Sequence, residues 1–366
     1  MASVAFRADL KLATATLEAI DAATLRNAED GMRPQLGASL IGRPCSKALW
    51  YSFRWATRQQ HEPRILRLFL RGHREEDNLA ELLRSAGVTV MTVNPATGKQ
   101  FSFGAGHFSG SMDGACVGLP DAPKTWHALE FKTHSAKSFN DLTKKGVKDA
   151  KPEHWAQMQC YMAWAGMERA LYVAVCKDDD RLHLERIDAD KDAAKALMEK
   201  AQRIIDAPTP PDGISDDPDY YLCKWCEHKE LCHGTEAPLP TCRSCSHSTP
   251  EPGGTWTCAR HQGKTLQVAE QKNGCPAHRV IPILLRNWAE PIDASEPDNL
   301  VKYQIKAGGE FTNGAQPTGY SSEEIYAAID KAAFSIVAQD TYVQQLRRDL
   351  GAALISTRTE QGAEQT

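Results

Sequence analysis

The chain has 366 residues, of which 42% are hydrophobic and 25% are charged, and its formal net charge is −4. This length allows two or three domains with a sizeable core, and the composition excludes wholesale disorder. The sequence shows neither a signal-peptide pattern nor an apolar run of membrane-spanning length, so a soluble intracellular protein without membrane contact is expected. Because the net charge is negative, nucleic-acid binding would require a local basic groove.

Helices and strands are predicted to alternate along the first two thirds of the chain. Ala and Leu at helical spacing predict a first helix over 6–29, and Gly and Pro predict a connector over 31–42. Further helices are predicted over 43–55, 63–86, 152–166 and 190–206. Strands are predicted over 88–93, 101–103, 107–117, 125–133, 171–176 and 181–187. This order predicts an α/β fold with a mixed central sheet flanked by helices.

A lysine-rich stretch follows the fourth predicted strand. Residues 135–151 are predicted to form a polar loop, and either a solvated surface or a phosphate-contacting loop would explain its charge. We favour the second interpretation because acidic residues precede the loop. The lysines expected to contact DNA phosphates are Lys137, Lys144, Lys145 and Lys148.

Two acidic residues and a lysine stand out between residues 107 and 132. Asp113 ends an apolar run, while Glu130 and Lys132 are separated by one residue on a predicted buried strand. Strand alternation therefore places Glu130 and Lys132 on the same face. Buried charges are costly unless they are compensated, and a divalent metal beside the lysine would compensate them.

The order of several short motifs resembles the PD-(D/E)xK nuclease superfamily, and within it the RecB-like and lambda-exonuclease-like branch. The likeness covers about residues 40–235, and Met112 stands where the superfamily's name has Pro, as is usual in this branch. Each motif is weak alone, but four in the right order on the right elements are specific. The matching motifs are Arg71-Gly72-x-x-x-Glu76, Gly110-x-x-Asp113, Glu130-x-Lys132 and Gln157-x-x-x-Tyr161.

The resemblance implies a restriction-endonuclease-like core and a role for each motif residue. Lys132 would orient the nucleophilic water and lower its pKa, and Gln157 and Tyr161 would position water, phosphate or each other, although a half-buried helix face also explains that pair. Glu75 points about 100° away from Glu76 on the helix and is the less suitable ligand. The implied ligands of Mg²⁺ or Mn²⁺ are Glu76, Asp113, Glu130 and the backbone carbonyl of Phe131.

The implied activity is that of a metal-dependent DNA exonuclease in bacterial or phage recombination, repair or replication. Its substrate would be linear double- or single-stranded DNA ends in the cytoplasm of a bacterium or an infected host. A homo-oligomer and a recombination or single-strand annealing partner are compatible with this interpretation. A structure-specific or nicking endonuclease and a catalytically silent DNA-binding adaptor that uses the zinc module described below are the alternatives.

Seven of the eleven cysteines lie between residues 223 and 275. Such clustering in a reducing compartment indicates metal binding more often than disulfides. Cys223-x₂-Cys226-x₅-Cys232 supplies three ligands, and the resemblance to iron–sulfur nucleases of the RecB-like type implies Cys45 as the fourth. The implied group is a [4Fe–4S] cluster, with Zn²⁺ as the alternative. His228 and His233 are expected to be solvated.

A second cysteine set resembles a zinc ribbon, with Cys242, Cys245 and Cys258 as ligands and either Cys275 or His261 as the fourth. We favour Cys275. The predicted organisation is a helical arm over 1–40, a nuclease domain over 41–235, a zinc-ribbon-like module over 236–290 and an α+β module of unknown role over 291–366.

Overall fold

The computed structural model describes residues 12–330 and 339–351. The helices are α1 (Thr14–Arg26), α2 (Ala38–Ile41), α3 (Ser46–Phe53), α4 (Pro63–Ser85), α5 (Ala136–Ala150), α6 (Pro152–Ala165), α7 (Lys191–Asp206), α8 (Lys229–His233), α9 (Val268–Gln271) and α10 (Ser322–Ile329). The strands are β1 (Leu36–Gly37), β2 (Thr89–Met91), β3 (Phe101–Ala105), β4 (Phe108–Met112), β5 (Gly114–Val117), β6 (His127–His134), β7 (Arg169–Cys176), β8 (Leu182–Asp188), β9 (Ser248–Pro250), β10 (Trp256–Cys258), β11 (Lys264–Leu266), β12 (Ala289–Ser295), β13 (Leu300–Ile305) and β14 (Glu310–Asn313). Residues 341–351 are also helical.

A mixed five-stranded sheet in the order β2-β5-β6-β7-β8 forms the centre of the fold. Its middle pair, β6 and β7, is parallel, and the other neighbours are antiparallel. Leu79 and Leu83 of α4 pack with Leu129 and Phe131 on one face, while α5 and α6 contact β6 and β7. The predicted α/β fold with a mixed sheet flanked by helices is therefore confirmed.

The strand predicted over 107–117 is in fact two strands that part at Asp113. The first, β4, pairs with β1 and β3 in a separate sheet, while β5 joins the central sheet. The Asp113 carboxylate accepts a hydrogen bond at 2.8 Å from the Phe131 amide, so a side chain continues the pairing with β6 just before β5 begins. Leu36 and Ile41, from the predicted connector and arm, are buried in the main core beside these strands.

The prediction of a polar loop over 135–151 is wrong, because this stretch forms α5. Ser135 caps the helix, and Phe139, Leu142 and Val147 are its buried face. Five lysines lie among these apolar residues, so the sequence pattern does not show the helical period of the buried face. Gly146 interrupts the helix with a φ of 77°.

The cysteine-rich segment after residue 236 packs onto the first half of the chain. Trp256 is buried and lies 5.2 Å from Phe53 between ring centroids. Arg243 extends from the same segment, and its guanidinium lies 3.7 Å from the centre of the Trp55 ring. Apolar residues of both parts thus share one core.

The C-terminal part contains a three-stranded antiparallel sheet, β12-β13-β14. The hairpin of this sheet is formed by β13 and β14, and Ser321 caps α10 through its Ser-x-x-Glu pattern. Of the α+β module predicted over 291–366, residues 331–338 and 352–366 lie outside the described residues. Within the ranges described, no helix is both long and apolar enough to cross a bilayer.

Candidate active site

Asp113, Glu130 and Lys132 meet at the edge where the chain passes from β4 into β5 and enters the central sheet. Glu130 is fully buried, and the Lys132 ammonium forms an ion pair with its Oε1. Lys132 also donates to the Phe131 carbonyl at 3.1 Å. The structure therefore brings together the predicted strand residues, and the ammonium contacts two of the groups expected to bind a metal.

Glu76 approaches the same site from α4. Burial raises the pKa of Glu76, and the negative charge of Asp113 raises it further. Its Oε1 lies 3.5 Å from the Nδ1 of exposed His73. The neighbouring Glu75 instead accepts a hydrogen bond from Asn78 at 3.2 Å, in agreement with its weaker rank as a ligand.

One oxygen of Glu130 has no hydrogen-bond partner within the part of the chain that the structure describes. This atom, Oε2, is buried. Burial raises the pKa of Glu130 to about 8, against the opposing charge of Lys132. Burial alone would lower the pKa of Lys132, but the charges of Glu130 and Asp113 outweigh it and raise the value. The chemistry of these carboxylate oxygens suits a hard divalent cation.

Gln157 and Tyr161 connect two elements of the site through hydrogen bonds and are not exposed. Both are buried, and the Gln157 amide donates to the Tyr161 hydroxyl at 2.8 Å. That hydroxyl donates to the Ser111 carbonyl at 2.6 Å, two residues before Asp113. The pair therefore ties α6 to the end of β4, and of the predicted roles this geometry matches positioning.

The two glycines of the sequence motifs stand in different surroundings. A Cβ on Gly110 would lie 2.7 Å from Tyr161 Cε1 and 2.8 Å from Ala38 Cβ, whereas a Cβ on Gly72 meets nothing within 4 Å. Gly110→Ala should therefore lower the free energy of unfolding by about 1–3 kcal/mol through overpacking. The matched change Gly72→Ala, in a helix interior, should raise it by about 0.5–1 kcal/mol. Denaturant titration of both variants checks the pair, and equal effects would contradict the assigned contact.

The four lysines expected to contact DNA lie along α5. Lys137 and Lys144 line an open depression together with Lys151. Lys145 forms an ion pair with Asp141 at 2.8 Å, and the Lys148 ammonium lies 4.7 Å from the centre of a Trp155 ring. The first two are thus the freer cations of the predicted set.

The residues of the first cysteine set line a common cavity. Cys45 at the start of α3 and Cys223, Cys226 and Cys232 line one cavity of about 20 Å³. Burial raises the pKa of Cys226 to about 11, and the charge of Cys45 adds to the increase. His228, expected to be solvated, is instead buried and lies 2.8 Å from both Ser52 Oγ and Thr57 Oγ1.

The second set lines a larger cavity of about 290 Å³, which contains Cys242, Cys245, Cys258, Cys275 and His261. Burial raises the pKa of Cys242 to about 12, and the other three thiols raise it further. Cys275 Sγ lies 3.7 Å from His261 Nε2, so both candidates for the fourth ligand are adjacent. Across 12–330 and 339–351, no group of three or more His, Cys, Asp or Glu side chains is arranged to hold a metal ion.

Three residues beside the site were missed by the sequence analysis. His134, Tyr172 and His154 form a hydrogen-bonded chain on the face of the sheet that carries Glu130 and Lys132. The available signal was position, because His134 follows Lys132 by two residues on a strand and His154 precedes Gln157 by three on a helix. Tyr172 carried no signal, since only the register of β7 places it opposite Glu130.

No protein-family profile and no curated protein matches the chain. Among solved structures, the alkaline exonuclease LHK-Exo of Laribacter hongkongensis is similar with a TM-score of 0.35 and 20% identity, over 51% of this chain and 90% of that one. Its complex with dAMP gives a TM-score of 0.33 and 18% identity over the same shares. The protein SSO0001 gives a TM-score of 0.37 and 15% identity, over 60% of this chain and 96% of that one. At TM-scores this low, the likenesses assign neither a fold nor a function to the chain.

Proposed function

We propose that this protein is a metal-dependent nuclease that hydrolyses phosphodiester bonds of DNA. The observation that supports this most is the site of Glu76, Asp113, Glu130 and Lys132, in which a buried oxygen of Glu130 has no hydrogen-bond partner among residues 12–330 and 339–351. The basic side of α5 follows directly on β6 and offers exposed ammonium groups for the DNA backbone.

The three carboxylates and the Phe131 carbonyl would hold Mg²⁺ or Mn²⁺. When bound, the cation would lower the pKa of a water molecule and offset negative charge on the scissile phosphate. When the cation binds Glu130, the ion pair between Glu130 and the Lys132 ammonium would break. The ammonium would then be directed toward the attacking water or the phosphate. Gln157 and Tyr161 would hold β4, and with it Asp113, in place.

Within this class we favour an exonuclease acting on linear DNA ends. Purified protein should be assayed with Mg²⁺ and Mn²⁺ on linear duplex, linear single-stranded and covalently closed circular DNA. Degradation of linear DNA alone is expected. Nicking of circles would identify the endonuclease instead, and DNA binding without cleavage under any divalent metal would favour the silent adaptor and overturn the nuclease proposal.

For the cysteines we propose two separate structural metal centres. The thiols of each set line one cavity and are close enough to raise one another's pKa values. A [4Fe–4S] cluster is the group we propose for Cys45, Cys223, Cys226 and Cys232, as the resemblance implies, with a single Zn²⁺ as the alternative. The second set, with its larger cavity, is proposed to hold structural Zn²⁺.

Metal analysis after anaerobic purification should separate these assignments. We expect about four iron atoms and one zinc per chain with a brown colour, because thiolates at these spacings bind both groups. Cys226→Ser should remove iron and leave zinc, and Cys245→Ser should do the reverse. Two zinc ions without iron would overturn the cluster, and loss of both metals in each variant would contradict two separate centres.

A further inference from the structure

Tyr172 is bonded on two sides by histidines. It lies on β7 opposite Glu130, and its hydroxyl is 2.8 Å from His134 Nε2 and 2.8 Å from His154 Nδ1. The second ring nitrogen of His134, Nδ1, lies 3.0 Å from Ser138 Oγ. A continuous hydrogen-bonded chain therefore connects α6, β7, β6 and α5.

This chain borders the candidate active site. Alternation along β6 places His134 on the same face as Lys132, and helical spacing places His154 on the same side of α6 as Gln157. Burial lowers the pKa of His154 to about 3, and the charge of Lys132 lowers it further. Burial, then nearby lysines including Lys132, lower the pKa of His134 to about 4. Both rings are therefore neutral at physiological pH.

The number of protons in this series of hydrogen bonds restricts the tautomers of both imidazole rings. A tyrosine hydroxyl donates one proton, while two imidazole nitrogens face the Tyr172 oxygen. With neutral rings, one imidazole must donate its N–H to the oxygen and the other must accept the hydroxyl proton. The tautomer of each ring is thus set by the other, and rotation of either ring would leave buried polar atoms without partners.

Resting on the nuclease function proposed above, we propose that His134, Tyr172 and His154 form a positioning unit that fixes Lys132 on β6 relative to Gln157 on α6. The second connection of α6 at the site, from Tyr161 to Ser111, reaches β4 and not β6. The Tyr172 hydroxyl thus connects β6, which carries Lys132, to α6, which carries Gln157. Displacement of reacting groups by a fraction of an ångström is enough to slow a reaction while substrate affinity is kept.

The first test is Tyr172→Phe, which deletes the shared hydroxyl and keeps the ring stacked on His154 at 5.8 Å between centroids. We expect kcat for DNA cleavage to fall about tenfold with KM unchanged, because alignment and not binding is lost. Tyr303→Phe is the matched control. Tyr303 is also buried, but its hydroxyl has no hydrogen-bond partner among the described residues, so kcat should not change.

A rescue series distinguishes positioning from general structural support. His154→Asn keeps an amide where Nδ1 lies and should retain kcat within about threefold, whereas His154→Ala should resemble Tyr172→Phe. Nitrogen-15 NMR of the protein with its structural metals in place and without added Mg²⁺ or Mn²⁺ gives a readout that does not depend on activity. Single neutral tautomers of His134 and His154 are expected in the wild type, and tautomer averaging in Tyr172→Phe.

The outcomes separate this inference from the function on which it rests. An active wild type that cleaves DNA no faster than Tyr172→Phe, or averaged tautomers of His134 and His154 in the wild type, overturns the positioning unit alone. Equal losses in the Asn and Ala variants of His154, or a matching loss in Tyr303→Phe, overturn it as well. A wild type with fixed tautomers and no nuclease activity overturns the proposed function and, with it, the catalytic purpose of the unit.

Discussion

Lys132→Ala should reduce kcat for DNA cleavage by about two to three orders of magnitude, the usual effect of removing a group that stabilises charge in the transition state. The Lys132 ammonium contacts Glu130 and the Phe131 carbonyl, so it lies among the groups that would surround the scissile phosphate and its cation. DNA binding should be retained, because the lysine contacts the site and not the basic side of α5. Single-turnover kinetics and a binding titration at fixed salt give the two numbers.

Lys137→Ala is the matched control for this change. Lys137 is an exposed lysine that lines the open depression on α5, away from the buried carboxylates. Its loss should weaken DNA binding and reduce the salt dependence of binding, with little effect on kcat. Cleavage by Lys132→Ala at the wild-type rate would remove Lys132 from the mechanism, whatever the control does.

Arg243→Met should lower the free energy of unfolding by about 3 kcal/mol, although Arg243 lies far along the chain from the nuclease motifs. Its side chain is buried and donates to the Phe53 carbonyl at 3.1 Å, the Pro34 carbonyl at 2.9 Å and Gln271 Oε1 at 2.8 Å. Burial lowers the pKa of Arg243 to about 9, and the nearby charge of Arg54 lowers it further. Methionine replaces the stem but leaves three buried acceptors without donors.

Denaturant titration of the metal-loaded protein measures this effect. The control is Arg260→Met in the same cysteine-rich segment. Arg260 is exposed and makes one long contact with the Glu296 carbonyl at 3.5 Å, so its loss should change the free energy by less than about 0.5 kcal/mol. Equal effects of the two variants would contradict the role of Arg243 in joining the segment to the rest of the core.

The site residues could be selected from the sequence because their chemistry is unusual for their positions. Glu130 and Lys132 alternate with apolar neighbours on a strand, and the structure indeed buries Glu130 and pairs it with Lys132. Because side chains alternate between the two faces of a strand, this inference needs only neighbouring residues. Helical spacing places Gln157 and Tyr161 on one face and the resemblance implies their role, although the sequence does not show that they bond to each other and to Ser111.

The errors arose where local pattern was ambiguous. In 135–151 charged residues mask the apolar face of a helix, so the composition suggested a loop, whereas burial of Phe139 and Leu142 against the sheet stabilises α5. The continuous strand pattern through Asp113 also misled, because a sequence shows the extended backbone but not the partner with which it pairs. His228 was expected in solvent since its tertiary contacts with Ser52 and Thr57 are remote in sequence.

By itself, the sequence determined the mixed α/β character, the elements on which Glu76, Glu130, Lys132, Gln157 and Tyr161 lie, and the clustering of seven cysteines between residues 223 and 275. Periodicity and spacing are local properties, and they are sufficient for these features. Only the tertiary structure decided that Asp113 bonds the Phe131 amide, that Arg243 joins the cysteine-rich segment to the core, and that Tyr172 links two histidines beside Lys132. Each of these contacts joins residues that are distant along the chain, and strand register and close packing, which sequence spacing does not specify, bring them together.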